Sequence, residues 1–167
     1  MATIRKATPQ DANKINEITR KAFTLYADEL QKGSRVKALE EPQSAVLDDI
    51  RAHNVFVAEE DGALLGSLRI KALSADLAYL YRFGVDPTIR NTGVGSDLLQ
   101  AAIDDCRKAG FAAIALHTNA KYYTLARYYY GKQFYVHSTS TAKGYIRALF
   151  VKELDDRLFD ISPAYYE

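Results

Sequence analysis

From Thr3 the residues alternate between apolar and polar as far as Ala7, and then the apolar positions jump to spacings of three and four at Ala12, Ile15, Ile18, Ala22 and Leu25. Alternation buries one face of a strand, whereas the longer spacing buries one stripe of a helix. Thr8-Pro9-Gln10-Asp11 marks the handover, with Thr8 as a cap and Pro9 suited to a first helical turn. Breakers in Gln31-Lys32-Gly33-Ser34-Arg35 and Glu40-Glu41-Pro42 bound a variable connection, and a further helix is expected from about Gln43 to Ala52. Val55 to Glu59 and Leu64 to Ile70 read as strands joined across Asp61-Gly62, a pair that tolerates the positive φ of a tight hairpin.

Ala78 to Val85 reads as a strand rich in aromatic residues, stopped by Asp86-Pro87 because proline cannot donate to a ladder. The next helix opens at Gly95-Ser96-Asp97, buries Leu98, Leu99, Ala102, Ile103 and Cys106, and closes at Lys108-Ala109 with Gly110 just past its end. Ala112 to Leu116 is a short apolar run of the kind buried on both faces. After a strand and a helix it completes a crossover, so it is expected parallel to the strand at 78–85. Lys121 to Tyr130 reads as a helix ending at Gly131. Phe134 to Thr139 and Tyr145 to Lys152 form a closing hairpin across Thr141-Ala142-Lys143-Gly144, and Asp155 to Glu167 reads as a loosely packed tail.

Composition narrows the class. The 167 residues are the size of one domain, and 48% hydrophobic with 26% charged is a globular balance that disfavours a disordered or fibrous chain. Lys+Arg 22 against Asp+Glu 21 leaves no bulk electrostatic attraction to nucleic acid or to an anionic membrane. Cys106 is the single cysteine, which removes an internal disulfide framework and a cysteine-based zinc site. Its place on an apolar helical face marks it as a small buried hydrophobe rather than a nucleophile. His53, His117 and His137 are scattered without a metal-ligand spacing, so no metal is expected. With neither a signal-peptide core nor a long apolar run, the expectation is a soluble cytoplasmic protein.

The stretch Val85-Asp86-Pro87-Thr88-Ile89-Arg90-Asn91-Thr92-Gly93-Val94-Gly95-Ser96-Asp97 carries the chemistry: a strand end, a turn with two glycines, and a helix start. Backbone N–H groups at such a helix start, with the positive end of its dipole, favour an anion such as phosphate, and Arg90 adds a permanent charge. The dinucleotide fingerprint is missing its third glycine, since Leu98 stands there, and no Gly-x-x-x-x-Gly-Lys-Ser/Thr occurs. The glycines alone fit a ligand-free strand-to-helix turn equally well.

Arg90-Asn91-Thr92-Gly93-Val94-Gly95 resembles the Arg/Gln-x-x-Gly-x-Gly/Ala loop of the GCN5-related N-acetyltransferase (GNAT) family, which holds the pyrophosphate of acetyl-CoA. Tyr81-Arg82-Phe83-Gly84-Val85-Asp86-Pro87 is similar to that family's fourth strand, and the order of elements from 3 to about 152 resembles the whole domain. The resemblance implies an α/β fold with a mixed, mostly antiparallel twisted sheet of about six or seven strands and about four flanking helices, with a parallel, splayed pair at the centre. It implies a single acetyltransferase-like domain at 1–154 and a tail at 155–167. It also implies acetyl-CoA as cosubstrate. Phe83, Gly84 and Val85 would lie against the pantetheine, and Arg90, Asn91, Thr92, Gly93, Val94, Gly95 and Ser96 would wrap the diphosphate. Asn119 would contact the coenzyme or, alternatively, cap the helix from Lys121.

Tyr128-Tyr129-Tyr130-Gly131-Lys132-Gln133-Phe134 resembles the family's Phe/Leu-Tyr-Glu-Lys-x-Gly-Phe segment, whose tyrosine protonates the departing thiolate, with Gln133 in place of the glycine. That alignment selects Tyr129 as the acid. Counting from Ala126 selects Tyr130, and in the family's common spacing the asparagine stands seven residues before the tyrosine, a position held here by Tyr122 rather than by Asn119. A phenol with a reference pKa of about 10 stays protonated at neutral pH and can donate to a thiolate of about 8.5.

Residues 78–85 hold no acid, and Glu59, Glu29, His117 and Glu167 each have a plainer structural reading, so no base is assigned. The implied activity is direct acetyl transfer to a primary amine of a small-molecule or peptide acceptor; the alternative is an acyl-CoA-binding module without chemistry. The segments that would set the acceptor are Phe23 to Glu41, Ser74 to Tyr81 and the closing hairpin. The resemblance also leaves room for a homodimer through Phe159, Tyr165 and Tyr166.

Overall fold

The computed structural model describes residues 1–30, 37–89 and 91–167, with the backbone alone at 28–30. Arg90 and the connection Gln31-Lys32-Gly33-Ser34-Arg35 lie outside the described residues, as does the side chain of Glu29.

The elements follow in the order β1 (Thr3–Lys6), α1 (Ala12–Leu30), α2 (Gln43–Ala52), β2 (Asn54–Glu60), β3 (Ala63–Ala72), β4 (Leu77–Val85), α3 (Val94–Ala109), β5 (Ala113–Asn119), α4 (Tyr123–Gly131), β6 (Tyr135–Ser140) and β7 (Arg147–Glu153). The strands form one sheet in the order β1-β2-β3-β4-β5-β7-β6. Ladders β1–β2, β2–β3, β5–β7 and β6–β7 are antiparallel, and β4–β5 is parallel. This is the mixed seven-stranded sheet with four helices that the sequence implies. The β4–β5 register runs from Leu77↔Ala113 to Tyr79↔Ala115, while β4 itself continues to Val85.

The chain falls into two compact units. The first comprises Met1–Ile70 and Arg82–Asp104. Its core is Ala12, Ile15 and Ile18 of α1, Val46 of α2, Val55 and Val57 of β2, and Leu64 of β3, which is the helical stripe meeting the inward positions of two strands. At its start the Asp11 carboxylate accepts from the Thr8 N–H at 2.8 Å and from Arg5 Nη1 and Nη2 at 2.8 and 3.0 Å. Asp61 and Gly62 both hold positive φ, 51° and 80°, as the hairpin between β2 and β3 requires.

The second unit comprises Lys71–Tyr81 and Asp105–Glu167, around Leu77, Tyr79, Ala113, Ala115, Leu149 and Val151. The tail at 155–167 differs from the loose packing expected of it. Ala164 is fully buried, and Phe159 and Ile161 pack on the same core. Pro163 starts a 3-10 turn over Ser162–Tyr166, and the Asp160 carboxylate accepts from the Ser162 N–H at 2.9 Å. A single such turn carries no periodic signal, which is why the pattern along the chain does not disclose it. Tyr165 and Tyr166 remain exposed.

Candidate active site

In the first unit, β4 ends where the Asp86 N–H reaches the Leu65 carbonyl at 2.8 Å. The Asp86 carboxylate then accepts from the Thr88 N–H at 2.9 Å and the Thr88 hydroxyl at 2.8 Å, and these bonds hold it below the usual carboxylate range. A 3-10 turn at Pro87–Ile89 follows, and the Thr92 hydroxyl donates to the Ile89 carbonyl at 2.8 Å. Asn91 and Gly93 take φ of 65° and 88°, a left-handed conformation that asparagine and glycine enter at least cost. The Asp97 N–H then bonds the Gly93 carbonyl at 3.0 Å as the helix begins. Val94, Gly95 and Ser96 form the first turn of α3, the end of a helix whose dipole favours an anion.

Three glycines let this corner close. A Cβ on Gly95 would lie 3.3 Å from Val85 Cγ2 and 3.7 Å from Phe83 Cζ, so the first turn of α3 sits directly on the end of β4. A Cβ on Gly84 would come within 2.8 Å of the Ala22 Cβ of α1, and one on Gly66 within 2.9 Å of Leu98 Cδ1. Phe83, Val85 and Gly95 are thus brought together, while Gly84 packs against α1.

A buried ion network that no motif in the sequence announces lies beside this corner. Arg69 is fully buried and donates to both Glu41 oxygens at 2.7 and 2.8 Å and to Asp49 Oδ2 at 2.9 Å. Arg82 of β4 donates through Nε to Glu41 Oε2 at 3.3 Å and holds a φ of 50°. Glu41 lay in a stretch whose residues signalled only a breaker. The available clue was Arg69 at an interior position between Leu68 and Ile70, since a buried cation needs a carboxylate somewhere.

In the second unit, α4 ends in a Schellman closure: the Gln133 N–H bonds the Tyr130 carbonyl and the Phe134 N–H bonds the Tyr129 carbonyl, both at 3.0 Å. Gln133 occupies the left-handed position at φ 66°, where the family pattern has glycine. The closure carries the Phe134 ring back to Tyr129, with centroids 5.5 Å apart, and Tyr129 also packs on Tyr128 and Phe150. Tyr129 is 5% exposed and Tyr122 8%, whereas Tyr130 is 57% exposed. The Asn119 side chain accepts from the Lys121 N–H at 2.9 Å, and its carbonyl accepts from the Tyr122 N–H at 3.1 Å, so it shapes the turn into α4.

The candidates for a base are committed elsewhere. Tyr79 and His117 share a 2.6 Å hydrogen bond. Burial, then Arg147 and Lys143, pulls the imidazole down to about 4, while burial pushes the Tyr79 phenol up. At neutral pH the bond therefore joins a neutral phenol to a neutral imidazole, which has little appetite for another proton. Glu59 is bound by Arg5 at 2.7 Å. The Glu167 carboxylate pairs with Lys71, and its main-chain oxygen accepts from Arg147 at 2.7 Å. Cys106 is buried at 1% exposure. Among the described residues no three metal-ligating side chains lie together, and no helix is long and apolar enough to cross a membrane.

Residues 20–134 match the model of the acetyltransferase (GNAT) family. The chain is similar to S-(2-succino)cysteine N-acetyltransferase of Bacillus subtilis (strain 168), with 28% identity over 163 residues, covering 90% of this chain and 94% of that one. Among solved structures, the PaiA N-acetyltransferase of Thermoplasma acidophilum in complex with coenzyme A superposes with a TM-score of 0.80 at 19% identity, over 92% of this chain and 99% of that one. The structure of yncA from Salmonella typhimurium with its cofactor acetyl-CoA gives 0.76 at 18% identity, over 96% and 98%. The two structures share the fold. With the family model spanning most of the sequence, this chain belongs to the acetyltransferase (GNAT) family, whose cosubstrate is acetyl-CoA.

Proposed function

We propose that residues 1–154 work as a single acetyltransferase-like domain, with 155–167 as its C-terminal tail, moving an acetyl group from acetyl-CoA directly to a primary amine. The observation that carries the reading is the first turn of α3 seated on Phe83 and Val85, with Asn91 and Gly93 turning the backbone into it. Arg90 and Asn91 to Ser96 cradle the diphosphate. Phe83, Gly84 and Val85 supply the β4 main chain along which the pantetheine lies, and Asn119 contacts the coenzyme.

Acetyl-CoA supplies the activated acyl group: its carbon–sulfur bond breaks, a carbon–nitrogen bond forms, the amine loses a proton and the sulfur gains one. The β4 main chain offers an N–H to the acyl oxygen, and the Tyr129 hydroxyl holds the proton destined for sulfur. Its ring packing on Phe134 and Phe150 supports this role by fixing where that hydroxyl stands. Tyr130 also packs on Phe150, with centroids 5.8 Å apart, but is 57% exposed. The substrate named for the relative from Bacillus subtilis is a small primary amine, which supports a small acceptor here.

Thiol release from acetyl-CoA with a panel of amines tests the reading. Tyr129→Phe is expected to lower kcat by about a hundredfold or more, with Tyr130→Phe nearly unchanged. Coenzyme binding without turnover of any amine would instead favour a binding module, and an unaffected Tyr129→Phe would remove that residue from the mechanism.

A further inference from the structure

We propose that Arg82, together with Lys37, is an anion clamp for the acceptor, and that the acceptor is an amine that also carries a carboxylate. The inference rests on the acetyl-transfer reading above and deepens it. With the diphosphate at the start of α3 and the pantetheine passing Val85 and then Phe83, the next residue back along β4, at the acyl end, is Arg82.

The guanidinium there is aimed rather than spent. Glu41 is fixed by two bonds from the buried Arg69 at 2.7 and 2.8 Å, and it takes only Nε of Arg82, at 3.3 Å. Among the described residues nothing else bonds the Arg82 side chain, so its two Nη groups remain as a planar fork for a ligand, the geometry that matches a carboxylate. An open depression of about 500 Å³ lies there, lined by Lys37, Glu40, Glu41, Ala45 and Arg82. The backbone agrees with the side chain. Arg82 keeps a φ of 50° within a strand, a strain that persists where the surroundings over-determine it and that gathers at functional sites.

Charge accounting favours an acceptor with both signs. Arg69 and Arg82 balance Glu41 and Asp49, so an incoming carboxylate meets the Arg82 fork and Lys37 without an excess of negative charge beneath it. Glu40 stands on the same rim. A plain alkylamine would leave the fork unused, whereas an amino acid satisfies both ends.

The test compares matched pairs: L-leucine against 3-methylbutylamine, and L-phenylalanine against 2-phenylethylamine. The carboxylated member is expected to have the higher kcat/KM by about tenfold or more. Arg82→Gln should erase that preference by raising KM for the amino acid about tenfold, with kcat changed less than about threefold. Calorimetry of L-leucine on the CoA-saturated protein should show binding weakened by a similar factor, and Arg82→Lys should recover part of it. Should Arg82→Gln not fold, Arg82→Lys and Lys37→Gln carry the same comparison. A protein that binds acetyl-CoA yet treats the pairs alike, prefers the plain amines or acetylates neither overturns the clamp, as does an Arg82→Gln variant that lowers both members equally. Failure of the unaltered protein to bind acetyl-CoA overturns the reading beneath it instead.

Discussion

Gln133 holds a conformation that costs an L-residue roughly 1–2 kcal/mol, and it does so to close α4 behind Tyr129. Gln133→Gly is therefore expected to raise stability by about 1 kcal/mol, read as a higher urea midpoint with an unchanged slope, and a loss of stability would show that the glutamine side chain contributes more than its backbone costs. This position was legible in the sequence, because it departs from a local pattern that has glycine there. Arg82 was not. Nothing local announces a positive φ at an arginine, and its partner Glu41 stands 41 residues away.

At the scale of elements, the tie between β4 and β5 titrates. His117 has a folded pKa of about 4 against 6.5 in the unfolded chain, because burial and the nearby Arg147 and Lys143 disfavour the imidazolium. The unfolded chain takes up a proton that the folded one refuses. The stability from this group is thus fully present above about pH 6.5 and is lost as the pH falls towards 4, by about 3 kcal/mol over the whole window. Urea unfolding at pH 7 and pH 5 should show His117→Gln losing about 2 kcal/mol less than the parent over that interval, and equal losses would mean that His117 is solvated in the folded state.

Elements were the most legible level of the sequence. The helix at Gln43–Ala52 has the bounds expected after the Glu40-Glu41-Pro42 breaker, and Asp61-Gly62 turns as its φ tolerance predicts. Such signals are local. The Tyr79–His117 bond spans 38 residues, and the Arg69 bonds to Glu41 and Asp49 span 28 and 20, so no periodicity reports them. The tail escaped for a related reason: Ala164 is buried by one short turn rather than by a repeating face.

For the whole molecule, the sheet order depends on which strands meet, and β7 lying between β5 and β6 is a non-local outcome of a local hairpin. The family was legible because its coenzyme loop is contiguous and its elements come in order; the acceptor side was not, because it is assembled from distant stretches. The central claim is that acetyl-CoA docks its diphosphate on the corner between β4 and α3. Ser96→Asp tests it most directly. A carboxylate in the first turn of a helix suits the dipole and should leave Tm unchanged or higher, yet it repels a bound diphosphate. Calorimetric titration with acetyl-CoA should show binding by the parent protein and an affinity at least about tenfold weaker in Ser96→Asp, equivalent to about 1.4 kcal/mol. Equal affinity in the two proteins, or no binding by the parent, would contradict the account.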